Sequence, residues 1–298
     1  MDWVKGCLCM IAGLPEEELF LQGHTACAGC SQALAVRIAM KALGKNTIVC
    51  LATGCLEIYS TQYRRCAWKV PVIHMLFENA PAVASGIEVA MKKLGKKINI
   101  AVFAGDGATA DIGFGALSGM LERGHNVIYI CIDNEAYMNT GIQRSGSTPY
   151  AAYTTTSPPG KVSIGNKTFK KDLPSIVAAH RIPYVATANP SYPKDLYKKV
   201  KKAMEFDGPK YIHILTPCPT GWGFESNESI EIGRLANETA LWINYEVVNG
   251  EIANVMKVGE RKPVEEYLRR QARFRHLSKK EIEEIQKIAD ENARIFGL

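Results

Sequence analysis

Ile98-Asn-Ile-Ala-Val-Phe-Ala-Gly-Asp-Gly-Ala-Thr-Ala-Asp-Ile-Gly113 reads as one strand, one turn and the start of one helix. Ile98–Ala104 is apolar on both faces, as a parallel strand covered on both sides must be. Gly105-Asp106-Gly107 turns the chain, and helical spacing begins at Ile112. The glycines let backbone approach a phosphate closely, and the helix start presents free N–H groups to negative charge. Asp106 offers a hard carboxylate suited to Mg²⁺, which bridges phosphates through few protein ligands. By itself, Gly-Asp-Gly is also an ordinary strand-to-helix turn with an N-capping Asp. The next apolar run, Asn126–Ile132, sharpens the reading by delivering Asp133-Asn134 to the same edge. There the Asn134 amide oxygen is a candidate second ligand, and a backbone carbonyl near Ala136 a third.

Outward from this pair, apolar β-rich runs alternate with helical patterns along most of the chain. Expected strands are Asn46–Ala52, Val72–Phe77, Ile98–Ala104, Asn126–Ile132, Tyr184–Ala188 and Lys210–Leu215. Expected helices are Gln32–Leu43, Ala80–Leu94, Ile112–Arg123, Leu173–His180 and Lys194–Phe206. The alternation predicts an α/β fold, a mainly parallel sheet flanked by helices. Asn139–Lys171 breaks the pattern, being rich in Thr, Ser, Pro and Gly; so long a loop inside a compact domain is usually functional or disordered. Tyr150, Tyr153 and Thr154–Thr156 within it either shape a pocket or pack against a partner. After Pro217 the alternation stops. We expect one domain over 1–230 and, over 231–298, a C-terminal arm that ends in a charged helix, Lys279–Phe296, and lies on a partner subunit.

Nine cysteines is a high and odd count, and their spacing suggests no disulfide framework. Cys27-Ala28-Gly29-Cys30 is a C-x-x-C placed just before a helix. Cys55 follows the first strand and Cys218 the sixth, flanked by Pro217 and Pro219. Ligands in open α/β sheets bind outside the carboxyl ends of the strands, so both loops can face one crevice with the C-x-x-C. The helix start after Cys30 favours an anionic thiolate centre. Spacing alone leaves an iron–sulfur cluster, structural zinc and a redox disulfide open. Cys50 and Cys131 read as buried strand residues and Cys66 as packing, while Cys7 and Cys9 stay unexplained.

At 47% hydrophobic and 22% charged, the composition excludes disordered and fibrous classes. No apolar run approaches the roughly 18 residues that span a bilayer, and Met1–Gly13 is no signal peptide. A cytoplasmic chain without membrane contact is expected. Its net charge of +6 is concentrated in Lys257–Lys280, which carries nine Lys or Arg against three Glu. No nucleic-acid module accompanies this run, so it reads as a solvated or subunit-docking face.

Taken in order, these stretches resemble the beta subunit of the 2-oxoacid:ferredoxin oxidoreductases, the pyruvate synthase type in particular. The resemblance is carried by Gly-His-Thr-Ala-Cys-Ala-Gly-Cys (23–30), Ala-Thr-Gly-Cys-Leu-Glu (52–57) and Phe-Glu-Asn-Ala (77–80). It continues through Gly-Asp-Gly-Ala-Thr-Ala-Asp-Ile-Gly (105–113), Asp-Asn-Glu-Ala-Tyr-Met-Asn-Thr-Gly-Ile-Gln (133–143) and Thr-Pro-Cys-Pro (216–219). Two departures are Ser31, where Gly commonly follows the C-x-x-C, and Cys66, where Thr is common.

The resemblance implies a thiamine-diphosphate-binding fold and one 4Fe–4S cluster on Cys27, Cys30, Cys55 and Cys218. It implies Mg²⁺ on Asp106, Asn134 and the carbonyl of Ala136. Thiamine diphosphate would be lined by Cys55, Gly105, Asp106, Gly107, Ala108, Asn134, Ala136, Tyr137, Met138 and Asn139, and the substrate approached by Asn139 and Thr140. The activity implied is reversible oxidative decarboxylation of a 2-oxoacid, pyruvate first, to acyl-coenzyme A and CO₂, with electrons passed to ferredoxin. An alpha subunit would supply the carboxylate for the aminopyrimidine ring, and a ferredoxin-like subunit further clusters. Alternatives are another 2-oxoacid (branched-chain, 2-oxoglutarate or oxalate), a non-redox thiamine-dependent decarboxylase subunit, or a zinc-stabilised scaffold.

Overall fold

The computed structural model describes residues 13–298; Cys7 and Cys9 lie outside them. The strands are β1 Thr47–Ala52, β2 Val72–Met75, β3 Asn99–Gly105, β4 Ile128–Asp133, β5 Pro159–Gly160, β6 Ser163–Ile164, β7 Tyr184–Ala188, β8 Lys210–Leu215, β9 Tyr245–Val248 and β10 Glu251–Val255. The α-helices are α1 Ser31–Leu43, α2 Cys55–Ser60, α3 Ala80–Lys93, α4 Phe114–Glu122, α5 Leu173–Ala178, α6 Pro193–Ala203, α7 Pro219–Trp222, α8 Ser229–Glu238, α9 Val264–Arg269 and α10 Lys279–Phe296. Eight strands form one sheet in the order β10-β9-β7-β8-β4-β3-β1-β2, parallel from β7 to β2, while β5 and β6 pair separately.

Successive strand residues point to opposite faces, and both faces are buried. Leu51, Phe103, Ile130 and Ile212 meet α1 and α6 on one side. Cys50, Val102, Tyr129 and Tyr211 meet α3, α4 and α5 on the other. The double-sided apolar runs therefore are the central parallel strands. All six expected strands and five expected helices form, with shifts at their ends. The largest shift follows Gly107, where a π-helical turn, Ala108–Ile112, precedes α4.

The expected boundary at 230/231 does not separate an arm from a domain. β9 pairs antiparallel with β7, and β10 pairs with β9, so this segment extends the same sheet. α10 begins at a Ser278–Glu281 capping box and ends at Gly297 in the left-handed region. It buries Ile285, Ala289 and Ala293, and Phe296 lies 4.5 Å from the Tyr245 ring. Its apolar stripe covers its own chain. Alternation was invisible here because β9 and β10 make an antiparallel hairpin rather than another strand–helix unit.

Candidate functional site

β8, β4, β3 and β1 are consecutive in the sheet, so the loops leaving their carboxyl ends are neighbours. From β1 the chain moves outward to β2, then returns to β3 on the other side of β1. Such a reversal opens a crevice between the two loops. A cleft of about 130 Å³ lies there. Its walls include Cys55, Gly105, Asp106, Gly107, Ala108, Asn134, Ala136, Tyr137, Met138, Asn139 and Thr140, every residue expected at the coenzyme and substrate.

Local packing explains these residue types. A Cβ on Gly107 would lie 2.5 Å from the Tyr137 ring, so only glycine fits. Tyr137 donates from its hydroxyl to the Gly107 carbonyl (3.3 Å) and Asp111 Oδ2 (3.1 Å), and it stacks on Phe77. Asp106 is 1% exposed, and Ser145 Oγ donates to its Oδ2 at 2.5 Å. Burial and the nearby Asp133 carboxylate push Asp106 well above the usual carboxylate range. A cation here would reverse that logic.

The Asn134 carboxamide has two orientations related by a half-turn. In one, its nitrogen donates to the Ala136 carbonyl (2.9 Å) and Asp106 Oδ1 (3.1 Å), while its oxygen accepts from Gln32 Nε2 (2.9 Å). In the other, its oxygen takes that corner and three oxygens converge with no proton between them. Hydrogen bonding alone favours the first. Bound Mg²⁺ favours the second, because oxygens at right angles on an ion about 2.1 Å away stand about 3 Å apart. The donor set and its spacing fit a magnesium ion.

Asn134 is held from behind by groups that the sequence did not single out. Trp222 Nε1 donates to its carbonyl at 2.8 Å. Glu135 adopts a left-handed φ of 66°, and its N–H donates to Asp133 Oδ1 at 2.8 Å. Lys170 bridges Asp133 (2.6 Å) and Glu135 (2.8 Å), His213 Nε2 meets Asp133 Oδ2 (2.8 Å), and Arg273 meets Glu135 (2.7 Å). Burial opposes the Asp133 charge, but Lys170 and His213 overcome it and hold Asp133 well below its usual range.

The cysteine segments meet at the same edge. Cys30 N–H donates to the Cys27 carbonyl (3.1 Å), and Gly221 N–H donates to Cys218 Sγ (3.4 Å). Burial, with the neighbouring thiols of Cys218, Cys30 and Cys27 adding to it, pushes Cys55 up to about 12. Burial with Cys30 and Cys27 pushes Cys218 up to about 11, and Cys30 is raised by burial and by Cys27. The Asn139 side chain works against that rise at Cys55, and both residues line the cleft. Among the described residues, no three Cys, His, Asp or Glu side chains close tightly enough to hold a single ion. Cys50 and Cys131 are buried as expected, but Cys66 is exposed rather than packed.

Tyr150, Tyr153 and Thr154–Thr156 do not line the cleft. Tyr150 stacks on Phe169 and borders a separate apolar cavity of about 270 Å³ beneath α10. The long loop instead sends Ser145 to Asp106 and Lys170 to Asp133. Its irregular composition was the signal available for them. His213 carried none, being one polar residue in an apolar strand.

Residues 52–214 match the thiamine pyrophosphate enzyme, C-terminal TPP binding domain family. With the sheet and cleft, this defines the chain's class: it belongs to the thiamine pyrophosphate enzymes. Within them it belongs to the family of the pyruvate synthase and ketoisovalerate oxidoreductase beta-type subunits. It is 57% identical to pyruvate synthase subunit PorB of Methanothermobacter thermautotrophicus, over 93% of this chain and 96% of that protein. It is 54% identical to PorB of Methanocaldococcus jannaschii (97% and 100%). It is 48% identical to ketoisovalerate oxidoreductase subunit VorB of Pyrococcus abyssi (92% and 91%). The fold is shared with a 2-oxoglutarate:ferredoxin oxidoreductase from Magnetococcus marinus, at a TM-score of 0.58 and 21% identity, covering 88% of this chain and 92% of that one.

Proposed function

We propose that this chain is the coenzyme-binding subunit of a 2-oxoacid:ferredoxin oxidoreductase acting on pyruvate, with coenzyme A as acyl acceptor and ferredoxin as electron acceptor. The observation that carries the reading is the corner where Asp106, Asn134 and the Ala136 carbonyl converge, within one cleft that also holds Cys55. Those three groups would hold Mg²⁺. Gly105, Gly107 and Ala108 would face the diphosphate, with Tyr137, Met138 and Asn139 beside the thiazolium. Thiamine diphosphate supplies a centre that stabilises the carbanion left when a 2-oxoacid loses CO₂. Asn139 and Thr140, exposed at the cleft mouth, would meet the substrate.

Cys27, Cys30, Cys55 and Cys218 would ligate one 4Fe–4S cluster, their thiols ionising on metal binding. What supports this is the C-x-x-C loop and the Cys55 and Cys218 loops lying near enough for their thiols to bear on one another's ionisation. The same arrangement favours this reading over a non-redox decarboxylase, which has no use for four gathered thiols. The carboxylate for the aminopyrimidine ring is assigned to an alpha subunit, and further clusters to a ferredoxin-like subunit. Residues 231–298, besides completing the sheet, would present the basic face that docks a partner in the cytoplasm.

The VorB relative makes a branched-chain 2-oxoacid the second reading. The complex, purified anaerobically, should reduce viologen dye with pyruvate and coenzyme A faster than with 3-methyl-2-oxobutanoate. The reverse order overturns the pyruvate assignment. Asp106→Asn should abolish stabilisation by thiamine diphosphate and Mg²⁺; undiminished stabilisation overturns the metal corner.

A further inference from the structure

Beside the four cysteines lies a buried hydroxyl with no acceptor. Tyr59 stands on α2 one helical turn after Cys55, a spacing that puts both side chains on one helix face. It is 6% exposed and belongs to the core against which Ala26, Cys30 and Cys55 pack. Its carbonyl accepts from Thr25 N–H at 3.0 Å, which ties this turn to the segment leading into Cys27. The His24 ring closes the other side, 5.6 Å from the Tyr59 ring. Yet the hydroxyl finds no hydrogen-bond partner among the described residues.

A buried tyrosine hydroxyl normally has a partner, and leaving it without one destabilises the fold. Phenylalanine would fill the same space without that cost. A tyrosine hydroxyl holds its proton at neutral pH, and burial reinforces that. The group therefore keeps its proton and is a donor. Cys55 shares its helix face and Cys30 packs on the same core, so the cluster ligands are its neighbours.

We infer that the Tyr59 hydroxyl donates a hydrogen bond to sulfur of the cluster held by Cys27, Cys30, Cys55 and Cys218, and thereby raises its reduction potential. The inference rests on the cluster reading above. Reduction adds one negative charge to the cluster, so a proton aimed at its sulfur stabilises the reduced form more than the oxidised one. No bond is made or broken at Tyr59; it is a positioning residue that acts through the cluster.

The test is Tyr59→Phe in the intact multi-subunit enzyme, prepared anaerobically and titrated potentiometrically with low-temperature EPR. The signal of this cluster is the one missing from a Cys218→Ala enzyme. The expected result is wild-type iron content with the midpoint moved to more negative potential, and Tyr59→Leu moving it the same way. An unchanged midpoint with full iron overturns the inference and leaves the cluster reading standing. A shift in Tyr59→Leu but not in Tyr59→Phe also overturns it, because ring packing would then be the cause. Loss of iron from Tyr59→Phe overturns it too, since a tuning donor is not needed for ligation. Absence of iron and of the signal in the wild-type enzyme overturns both readings.

Discussion

The indole nitrogen of Trp222 donates to the carbonyl of Asn134 at 2.8 Å, joining the segment of Cys218 to the loop that forms the oxygen corner. Trp222 N–H also donates to the Cys218 carbonyl at 2.9 Å, so one residue fixes both. Its ring is 1% exposed and carries the Arg273 guanidinium 3.8 Å from the centroid. Trp222→Phe keeps an aromatic plane but leaves the Asn134 carbonyl without its donor. The expected loss is about 1–3 kcal/mol, read as a lower denaturation midpoint for the assembled enzyme. Affinity for thiamine diphosphate with Mg²⁺ should fall as well; wild-type stability and affinity together would remove Trp222 from this role.

Lys170 is the shared cation of two buried carboxylates, Asp133 and Glu135, which flank Asn134. Lys170→Met leaves Asp133 with His213 and the Glu135 N–H, and Glu135 with Arg273. Removing one partner of a buried ion pair costs about 3–5 kcal/mol because the remaining charge stays desolvated. The lower end is expected here, since each carboxylate retains a second partner. Urea unfolding at neutral pH checks it; a change within about 0.5 kcal/mol, the usual effect of a surface substitution, would place Lys170 outside the network.

Much of this arrangement was legible in the sequence because parallel strands buried on both faces read as unbroken apolar runs. Ile98–Ala104 and Asn126–Ile132 each end at a residue of the cleft, and Lys210–Leu215 ends three residues before Cys218. Cys55 and Cys218 each follow a strand, which is why their loops could be expected at one crevice with the C-x-x-C, while the four-cysteine ligand set rests on the family resemblance. The supporting layer was not legible. Ser145 and Lys170 come from a loop without periodicity, and Arg273 from beyond the last predicted strand. Their partners are set by tertiary packing that no local pattern encodes. The integration of 245–255 into the sheet was missed for a related reason, since an antiparallel edge hairpin leaves no alternation with helices.

Gly29 in the C-x-x-C loop is required twice over. Its φ of +73° is in the left-handed region, and an added Cβ would lie 2.1 Å from the Ser226 carbonyl oxygen. Ser229 Oγ donates to the Gly29 carbonyl at 2.6 Å, so the loop cannot simply move away. Gly29→Ala should therefore lower the iron bound per chain as well as stability. Gly23→Ala is the control: its φ is +91°, but nothing lies within 4 Å of an added Cβ. It should cost about 1–2 kcal/mol of backbone strain and leave iron unchanged. Equal iron content in both variants would show that the loop is not fixed by Gly29.

Glu246 on β9 couples the sheet extension to pH. It is 6% exposed, pairs with Lys202 (2.5 Å), and accepts from Tyr184 (3.0 Å) and Asn254 (3.0 Å). Burial works to raise its pKa, but hydrogen bonds from Lys202, Asn254 and Tyr184 prevail and hold it below the ordinary 4.5. A group more acidic folded than unfolded stabilises the fold fully above its unfolded pKa. As pH falls through the folded value, the unfolded chain gains protons first and that contribution disappears. Stability should accordingly drop below about pH 4.5, with amide exchange in β9 and β10 quickening as the edge loosens. Glu246→Gln should be less stable than wild type at pH 7 and converge on it near pH 3. Curves that stay parallel across that interval would mean that the Glu246 charge contributes nothing to holding the hairpin on β7.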